Sequence, residues 1–314
     1  MQNLKDDRKP FAEINGLYEK IKEIVHVDRV LLNESMSKHT SFKIGGPAAM
    51  LIEIADSSEL AHLLPLLKAE DAQYFIMGNG SNLLVSDDGY KGIVIKLADY
   101  LTNVTIDKHN ITAEAGVLLS TLSKIIAKES LIGFEFASGI PGTVGGAITM
   151  NAGAYDGEMK NYVKSVKVLT QTGEILDLTN EEMNFGYRIS DVIKYDYIVL
   201  ETTFTFEKGD PEEISEKTKD FTERRTSKQP LTLPSAGSMF KRPVGYFAGK
   251  LIDDSGLRGV RIGDAQISEK HCGFVVNRGK ATCREVLDLI QMVQKVVKDN
   301  YGVMLETEVK YLGG

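Results

Sequence analysis

GFEFASGIPGTVGGAITMNAGAYDGE, residues 133–158, is the stretch on which the fold turns: it carries seven glycines and neither lysine nor arginine. Glycine has no Cβ to obstruct a neighbour and reaches positive φ at no steric cost, so a run this poor in side chains marks backbone that must come close to something. Successive N–H groups can then cradle an anion. Between the glycines stand Phe134, Phe136, Ile140, Val144, Ile148 and Met150, which pin the segment by packing. A phosphate carried on a large flat group is the most economical ligand; a tight buried bend with no ligand is the alternative.

Upstream, residues 111–116 read as extended and 117–130 as an amphipathic helix with Leu118, Leu122, Ile125 and Ile126 on one side. Further back, a strand at 50–54, a helix opened by Asp56 and Glu59 at capping-box-like spacing, and a strand at 74–77 make a βαβ unit, for which a right-handed crossover is expected. Its second strand runs into Gly78, Asn79, Gly80, Ser81 and Asn82. This is not a Rossmann fingerprint. Leu83 stands where a third glycine is required, and residues 82–85 and 93–97, around the SDDGYKG turn, read as extended where a helix should follow. No Gly-Lys-Ser/Thr follows any of these glycines either. The turn is a second candidate for backbone contacts to phosphate, with an ordinary hairpin loop as the alternative.

Downstream, residues 163–169 and 175–178 form a hairpin about Thr172–Gly173, and 197–206 alternates as another strand. Between them lies FGYRISD, whose Arg188 would by itself read as a surface ion-pair residue. A break in composition at KGDPEE places a domain boundary near Gly209. A polar helix over 212–226 follows, then PSAGSMFKRP, with Ser235 and Ser238 about an Ala-Gly turn. The segment is not GxSxG and shows no His/Asp partner, so a hydrolase nucleophile is unsupported. After a strand at 273–277, Thr282 and Glu285 open a helix bearing Val286, Leu289, Ile290, Val293 and Val297, closed by Gly302. In the last strand Leu305, Thr307, Val309 and Tyr311 share one face and Glu306, Glu308 and Lys310 the other, so Glu308 faces solvent or a cleft. At the other end, Leu17, Ile21 and Ile24 recur at helical spacing in a lead-in that runs to about Val30.

The 314 residues exceed what one core organises, so two or three domains are expected. Lys and Arg total 37 against 44 Asp and Glu, and the net charge of −7 opposes non-specific binding to nucleic acid or an anionic membrane. Any phosphate must be held locally. No apolar run approaches the ~18 residues of a membrane span, and MQNLKDDRKP lacks a signal-peptide core, so a soluble cytoplasmic protein is expected. Cys272 and Cys283 lie outside any metal-ligand spacing, the five histidines are dispersed, and neither a zinc site nor a disulfide framework is expected.

The motifs TSFKIGGPA, GNGSNLLVSD, GFEFASGIPGTVGGAITMNAGAY, FGYRISD, PSAGSMFKRP, AGKLID, GLRG, KHCGFVVN and LETEVKYLG occur in that order over roughly residues 33 to 313. With them the chain resembles the UDP-N-acetylenolpyruvoylglucosamine reductase (MurB) family, flavoenzymes of peptidoglycan precursor synthesis. The resemblance implies an α+β fold of three domains: an FAD-binding fold of the vanillyl-alcohol oxidase type in two parts, 1–97 (joined by a C-terminal strand, 309–314) and 98–207, and a substrate-binding domain at 208–308. It implies noncovalent FAD on Gly78, Asn79, Gly80, Ser81 and Asn82, and on Ser138, Gly139, Ile140, Pro141, Gly142, Thr143, Gly145, Gly146, Ala147, Asn151 and Gly153. Arg188, Ser238 and Glu308 match the family's catalytic residues. Tyr187, Lys228 and Lys241 are candidates for the substrate.

The implied reaction turns an enolpyruvyl ether of a UDP-sugar into a lactyl ether. NADPH hands hydride to the flavin and leaves; the sugar nucleotide then takes hydride at its vinyl methylene carbon. Arg188, with Glu308 in its protonated form as a second donor, would stabilise the charge that develops beside that carbon. Ser238 would protonate it, aided by a cation for which Lys228 is the candidate. Only 50 positions separate Arg188 from Ser238, which leaves no room for the substrate-covering loop of one family subtype, so the shorter subtype is implied. Arg242 stands where many members have Asn. A monomer is expected. Two rivals remain open: a flavin oxidase of the same fold with FAD attached through a residue such as His39, and a colourless nucleotide-sugar binding module.

Overall fold

The structure, a computed structural model, describes residues 14–313. The N-terminal decapeptide MQNLKDDRKP lies outside the described residues, and the helical lead-in begins within them as Ile14–Ile21, with Leu17 and Ile21 buried.

The first sheet has four strands in the order Val30–Ser35, Pro47–Glu53, Tyr90–Lys96, Tyr74–Met77; the first pair is antiparallel, the other two parallel. The two strands of the expected βαβ unit are therefore not neighbours. Tyr90–Lys96 slots between them because Ile93, Val94 and Ile95 are apolar on both faces, which suits a central parallel strand. Helix Ser57–Ala69 joins the outer two. Asp56 caps it by accepting from Glu59 N at 2.9 Å, while Glu59 reaches back to Ala55 N at 2.8 Å and pairs with Arg29.

The second sheet is wholly antiparallel, in the order Ile175–Thr179, Val163–Leu169, Ile198–Thr205, Asn110–Glu114, Val104–Asp107. The hairpin expected about Gly173 is present, with that glycine at φ +83°. Helix Leu119–Lys128 begins two residues later than the sequence suggests. Leu119 N is bonded to Gly142 O at 3.0 Å, so Leu118 becomes an exposed cap and Leu119 enters the core with Leu122 and Ile126.

One continuous core joins the two sheets, including Ile52, Leu63 and Ile95 from the first and Ile111, Val166 and Phe204 from the second. Phe134 stands at its aromatic centre, edge-on to Phe136, Phe204 and Phe206 with centroids 5.5, 5.5 and 5.7 Å away. Burying a side chain of this size is worth about 1.5–3 kcal/mol. The glycine stretch is thus anchored at its start and free to be thin beyond it.

A third sheet, Ser235–Ser238, Phe274–Asn277, Ala265–Ile267 and Arg261–Ile262, packs on helix Cys283–Tyr301 through a second core that includes Met239, Ile267, Val286, Ile290 and Val293. The Thr282–Glu285 capping box is present, and Gly302 closes the helix at φ +70°. Asp87, from the SDDG turn, adds a cap from outside by accepting from Cys283 N at 2.7 Å and Arg284 N at 2.9 Å. The helix Pro211–Lys228, capped by Asp210, leads into this part of the chain. Only Lys310–Leu312 of the expected final strand pairs as one, parallel to Leu83–Val85. Residues 305–309 instead thread past the end of the third sheet, with Leu305 and Val309 buried. No helix among the described residues is long and apolar enough to cross a membrane.

Candidate active site

The two glycine loops, 60 residues apart in sequence, meet in space. Asn79 Nδ2 donates to Pro141 O at 2.9 Å. Gly78 lies so close to Thr143 that a Cβ on it would collide with Thr143 Oγ1, and one on Gly142 would lie 3.5 Å from Ser81 Oγ. Gly80, at φ +61°, is held against the main chain of His39, where a side chain would strike the carbonyl oxygen. Gly145 packs on Ala115, whose carbonyl accepts its N–H at 2.9 Å.

The surface shared by these loops is rich in unused donors. Among the described residues the N–H groups of Asn79, Gly80, Ser81, Gly139, Gly142 and Gly146 have no protein acceptor. Thr143 Oγ1 is buried and also without a partner. An unsatisfied buried hydroxyl costs about 1–3 kcal/mol, which an acceptor on a ligand would recover. A Cβ on Gly142 or Gly146 would make only ordinary contacts, with Ser81 Oγ at 3.5 Å and Thr143 Oγ1 at 3.8 Å respectively. A dinucleotide pyrophosphate, an acceptor with no donors of its own, fits this arrangement.

Asn151 takes a different part from its neighbours. It is fully buried, donates to Glu158 Oε2 at 3.1 Å and Gly186 O at 3.0 Å, and accepts from Lys160 N at 3.0 Å. Its side chain is used up in holding the turn that carries Arg188. Ser138, Ile140, Ala147 and Gly153 lie along the same stretch, and Gly153 O accepts from Arg188 Nη2 at 3.4 Å.

Arg188 sits at φ +58° in a tight bridge between Gly186 and Ile189, a left-handed conformation that costs a non-glycine residue about 1 kcal/mol or more. Its Nε donates to Glu308 Oε1 at 3.0 Å, with both side chains mostly buried. Glu308 is in turn placed by its main chain: its N–H donates to Met239 O at 2.9 Å, and its carbonyl accepts from Asn82 Nδ2 at 3.2 Å. Ser238 precedes Met239 in the edge strand paired with Phe274, and its hydroxyl has no protein partner among the described residues. Ser41 Oγ ties the same strand to the first glycine loop by donating to Ser235 O at 2.7 Å. Arg188, Ser238 and Glu308 are thus gathered beside Asn82, although they come from three separate motifs.

The substrate candidates divide. Tyr187 is half exposed, lies under the Arg188 guanidinium at 5.1 Å, and accepts from Arg242 N at 3.1 Å. Arg242 itself covers the exposed ring of Phe247 at 4.0 Å. Lys241 pairs with Glu306 at 3.2 Å. Lys228 ends its helix in the open, and no contact among the described residues brings it to Ser238.

Two cations escaped the sequence reading. Lys310, two residues beyond Glu308, is part-buried and has no ion-pair partner among the described residues, and burial, with Lys241 nearby, lowers its pKa from the usual lysine range. Arg225 is similarly unpaired and lies against Gly139. The alternation of the final segment was a signal for the first.

Sequence and structure comparisons define the family. Residues 48–179 match the FAD binding domain family. Residues 229–312 match the family described as UDP-N-acetylenolpyruvoylglucosamine reductase, C-terminal domain. A flavin-binding protein with a separate C-terminal domain is the class so defined. The chain is 55% identical over 296 residues to the UDP-N-acetylenolpyruvoylglucosamine reductase of Alkaliphilus oremlandii (strain OhILAs), covering 94% of this chain and 97% of that one. It is 50% identical over 297 residues to that of Clostridioides difficile (strain 630), covering 95% and 98%. The crystal structure of MurB from Thermus caldophilus superposes with a TM-score of 0.77 at 37% identity, covering 90% of this chain and 98% of that one. The chain belongs to the UDP-N-acetylenolpyruvoylglucosamine reductase (MurB) family.

Proposed function

We propose that this chain reduces the enolpyruvyl ether of UDP-N-acetylglucosamine-enolpyruvate to UDP-N-acetylmuramate in peptidoglycan precursor synthesis, with Arg188, Ser238 and Glu308 as catalytic residues. The observation that carries the residue assignment is the convergence of these three beside the paired glycine loops. The loop N–H groups and Thr143 would hold the pyrophosphate of FAD. FAD held there would supply the hydride-transfer chemistry between NADPH and the vinyl methylene carbon. His39 supports noncovalent attachment, since Glu34 engages its Nε2 at 3.0 Å and Lys96 its Nδ1 at 3.4 Å.

Arg188 holds the charge that develops at the carbon beside the substrate carboxylate. A guanidinium already fixed by Glu308 and Gly153 needs no reorganisation as that charge appears. Ser238 delivers the proton to that carbon from its unpartnered hydroxyl. Lys310 is better placed than Lys228 to polarise that hydroxyl, because it feels the charge of Glu308 whereas Lys228 is exposed at the end of its helix. Tyr187 and Lys241 flank the entrance and serve the sugar nucleotide. Use of NADPH and a nucleotide sugar favours a cytoplasmic enzyme. The pairing of Lys310–Leu312 with Leu83–Val85 supports domains at 1–97 with 309–314, 98–207 and 208–308.

Ser238→Ala separates the half-reactions. Flavin reduction by NADPH needs no acid and should proceed near the wild-type rate, while reoxidation by the enolpyruvyl substrate should fall by roughly 10²-fold or more. Anaerobic stopped-flow at the flavin band reads each half. Equal slowing of both, or unimpaired reoxidation, removes Ser238 from the catalytic set, and purified protein that takes up no FAD refutes the reductase reading outright. Flavin that stays with acid-precipitated chain would instead favour the covalent oxidase.

A further inference from the structure

The glycine stretch has no cation of its own, but the helix Pro211–Lys228 brings one to it. Phe221 and Arg225 are four residues apart and so share a face of that helix. Phe221 stacks on Tyr155 of the glycine stretch at 4.5 Å with the rings 4° from parallel, and Tyr155 Oη donates to Phe221 O at 3.2 Å. One turn further on, the Arg225 side chain crosses Gly139: a Cβ built on that glycine would lie 2.6 Å from Arg225 Cδ and 3.2 Å from both Nε and Nη1. A side chain at position 139 would displace the arginine that lies over it. The guanidinium is half-buried and has no carboxylate or carbonyl partner among the described residues. Its neighbour Arg224, by contrast, is paired with Asp220. Burial pulls the Arg225 pKa down, the sign of a charge held away from water without compensation. An arginine nonetheless stays protonated, so the cost of its burial stands until an anion arrives. The nearby N–H groups of Gly139 and Gly142 lack acceptors as well.

We propose that Arg225 is a phosphate-binding residue, whose guanidinium meets a phosphate oxygen of a nucleotide held against Gly139 and Gly142. The inference rests on the reading of the glycine loops as the FAD site, and FAD is the favoured source of that phosphate. NADPH and the sugar nucleotide carry the same chemistry, so the test has three arms.

Flavin-free wild-type protein, Arg225→Gln and Arg225→Lys are titrated with FAD by fluorescence at several salt concentrations. NADPH and UDP-N-acetylglucosamine are then titrated against each oxidised holoenzyme. Loss of a charge-assisted bond weakens Kd by roughly 10-fold or more. If FAD is the source, Arg225→Gln shows that loss toward FAD with a shallower salt dependence, and Arg225→Lys recovers part of it. A loss confined to NADPH or to the sugar nucleotide keeps the phosphate role and reassigns the source. Affinities of Arg225→Gln within about a factor of two for all three nucleotides overturn the inference. So does a uniform loss that Arg225→Lys fails to moderate, because that marks a packing defect. Failure of the wild-type protein to bind FAD would instead overturn the reading of the glycine loops.

Discussion

Thr143 offers a prediction with opposite signs in the two states of the protein. Its hydroxyl is buried, has no partner, and is pressed against the α-carbon side of Gly78. In flavin-free protein this oxygen is a liability, because an unsatisfied buried hydroxyl costs about 1–3 kcal/mol. Thr143→Val keeps the branched shape and removes the oxygen. A methyl is slightly larger than a hydroxyl, and Gly78 leaves it little slack, so part of the gain is lost to crowding. The net expectation is a flavin-free protein about 1 kcal/mol more stable, equivalent to a midpoint rise of roughly 2–4 °C for a cooperative unit of 150–250 residues. The flavin-bound state should move the other way. A hydrogen bond to a charged phosphate oxygen is worth about 1.5–3 kcal/mol, so Kd for FAD should rise by about 10-fold or more. Thr143→Ser is the control: it keeps the hydroxyl, loses a buried methyl, and should hold FAD normally while lowering stability. Thermal unfolding of flavin-free protein and fluorescence titration with FAD read the two quantities separately. A Val variant that is less stable without flavin and binds FAD within a factor of about two of wild type would show that Thr143 is a packing residue alone.

Arg188→Gly and Arg188→Ala both remove the guanidinium and should each slow substrate-dependent flavin reoxidation by about 10²-fold or more. Because residue 188 sits at φ +58°, the glycine variant should be the more stable of the two by roughly 1 kcal/mol in urea unfolding; equal stabilities would deny the strain. The thiols give a pH prediction. Burial, with Asp253 and Asp87 nearby respectively, pushes Cys272 up to about 11 and Cys283 up to about 12. In the unfolded chain they ionise near ~8.5, so the folded state keeps protons that the unfolded state gives up. Their contribution is intact below pH ~8.5 and fades as pH rises toward about 11–12. At pH 8 the folded protein should react with a thiol reagent roughly 10²-fold more slowly than in urea, and rapid labelling of either cysteine without unfolding would contradict the burial.

What was legible in the sequence is what depends on neighbours along the chain. Asp56, Thr282 with Glu285, and Gly302 cap helices where their spacing said they would. The alternation about Glu308 set that carboxylate apart from Leu305 and Val309, which are buried. Pairings between distant segments were not legible, since nothing in GNGSN says that its Asn79 will reach Pro141 or that Asn82 will hold Glu308. Arg225 lies between these cases. The glycine stretch lacks lysine and arginine, which by itself points to backbone alone as the holder of phosphate, and Lys228 is the cation the sequence offers to Ser238. Yet Ile214, Phe221 and Arg225 fall at i, i+7 and i+11, one line along the helix, and the first is buried while the second packs into the core beneath the glycine stretch. A helix as polar as PEEISEKTKDFTERRTSK shows only two members of that line as apolar, so its docking face was easily overlooked. The third member is charged and by type alone reads as surface. An arginine that continues the buried stripe of an otherwise polar helix must end in a salt bridge or in a ligand, and among the described residues no carboxylate is there to take it.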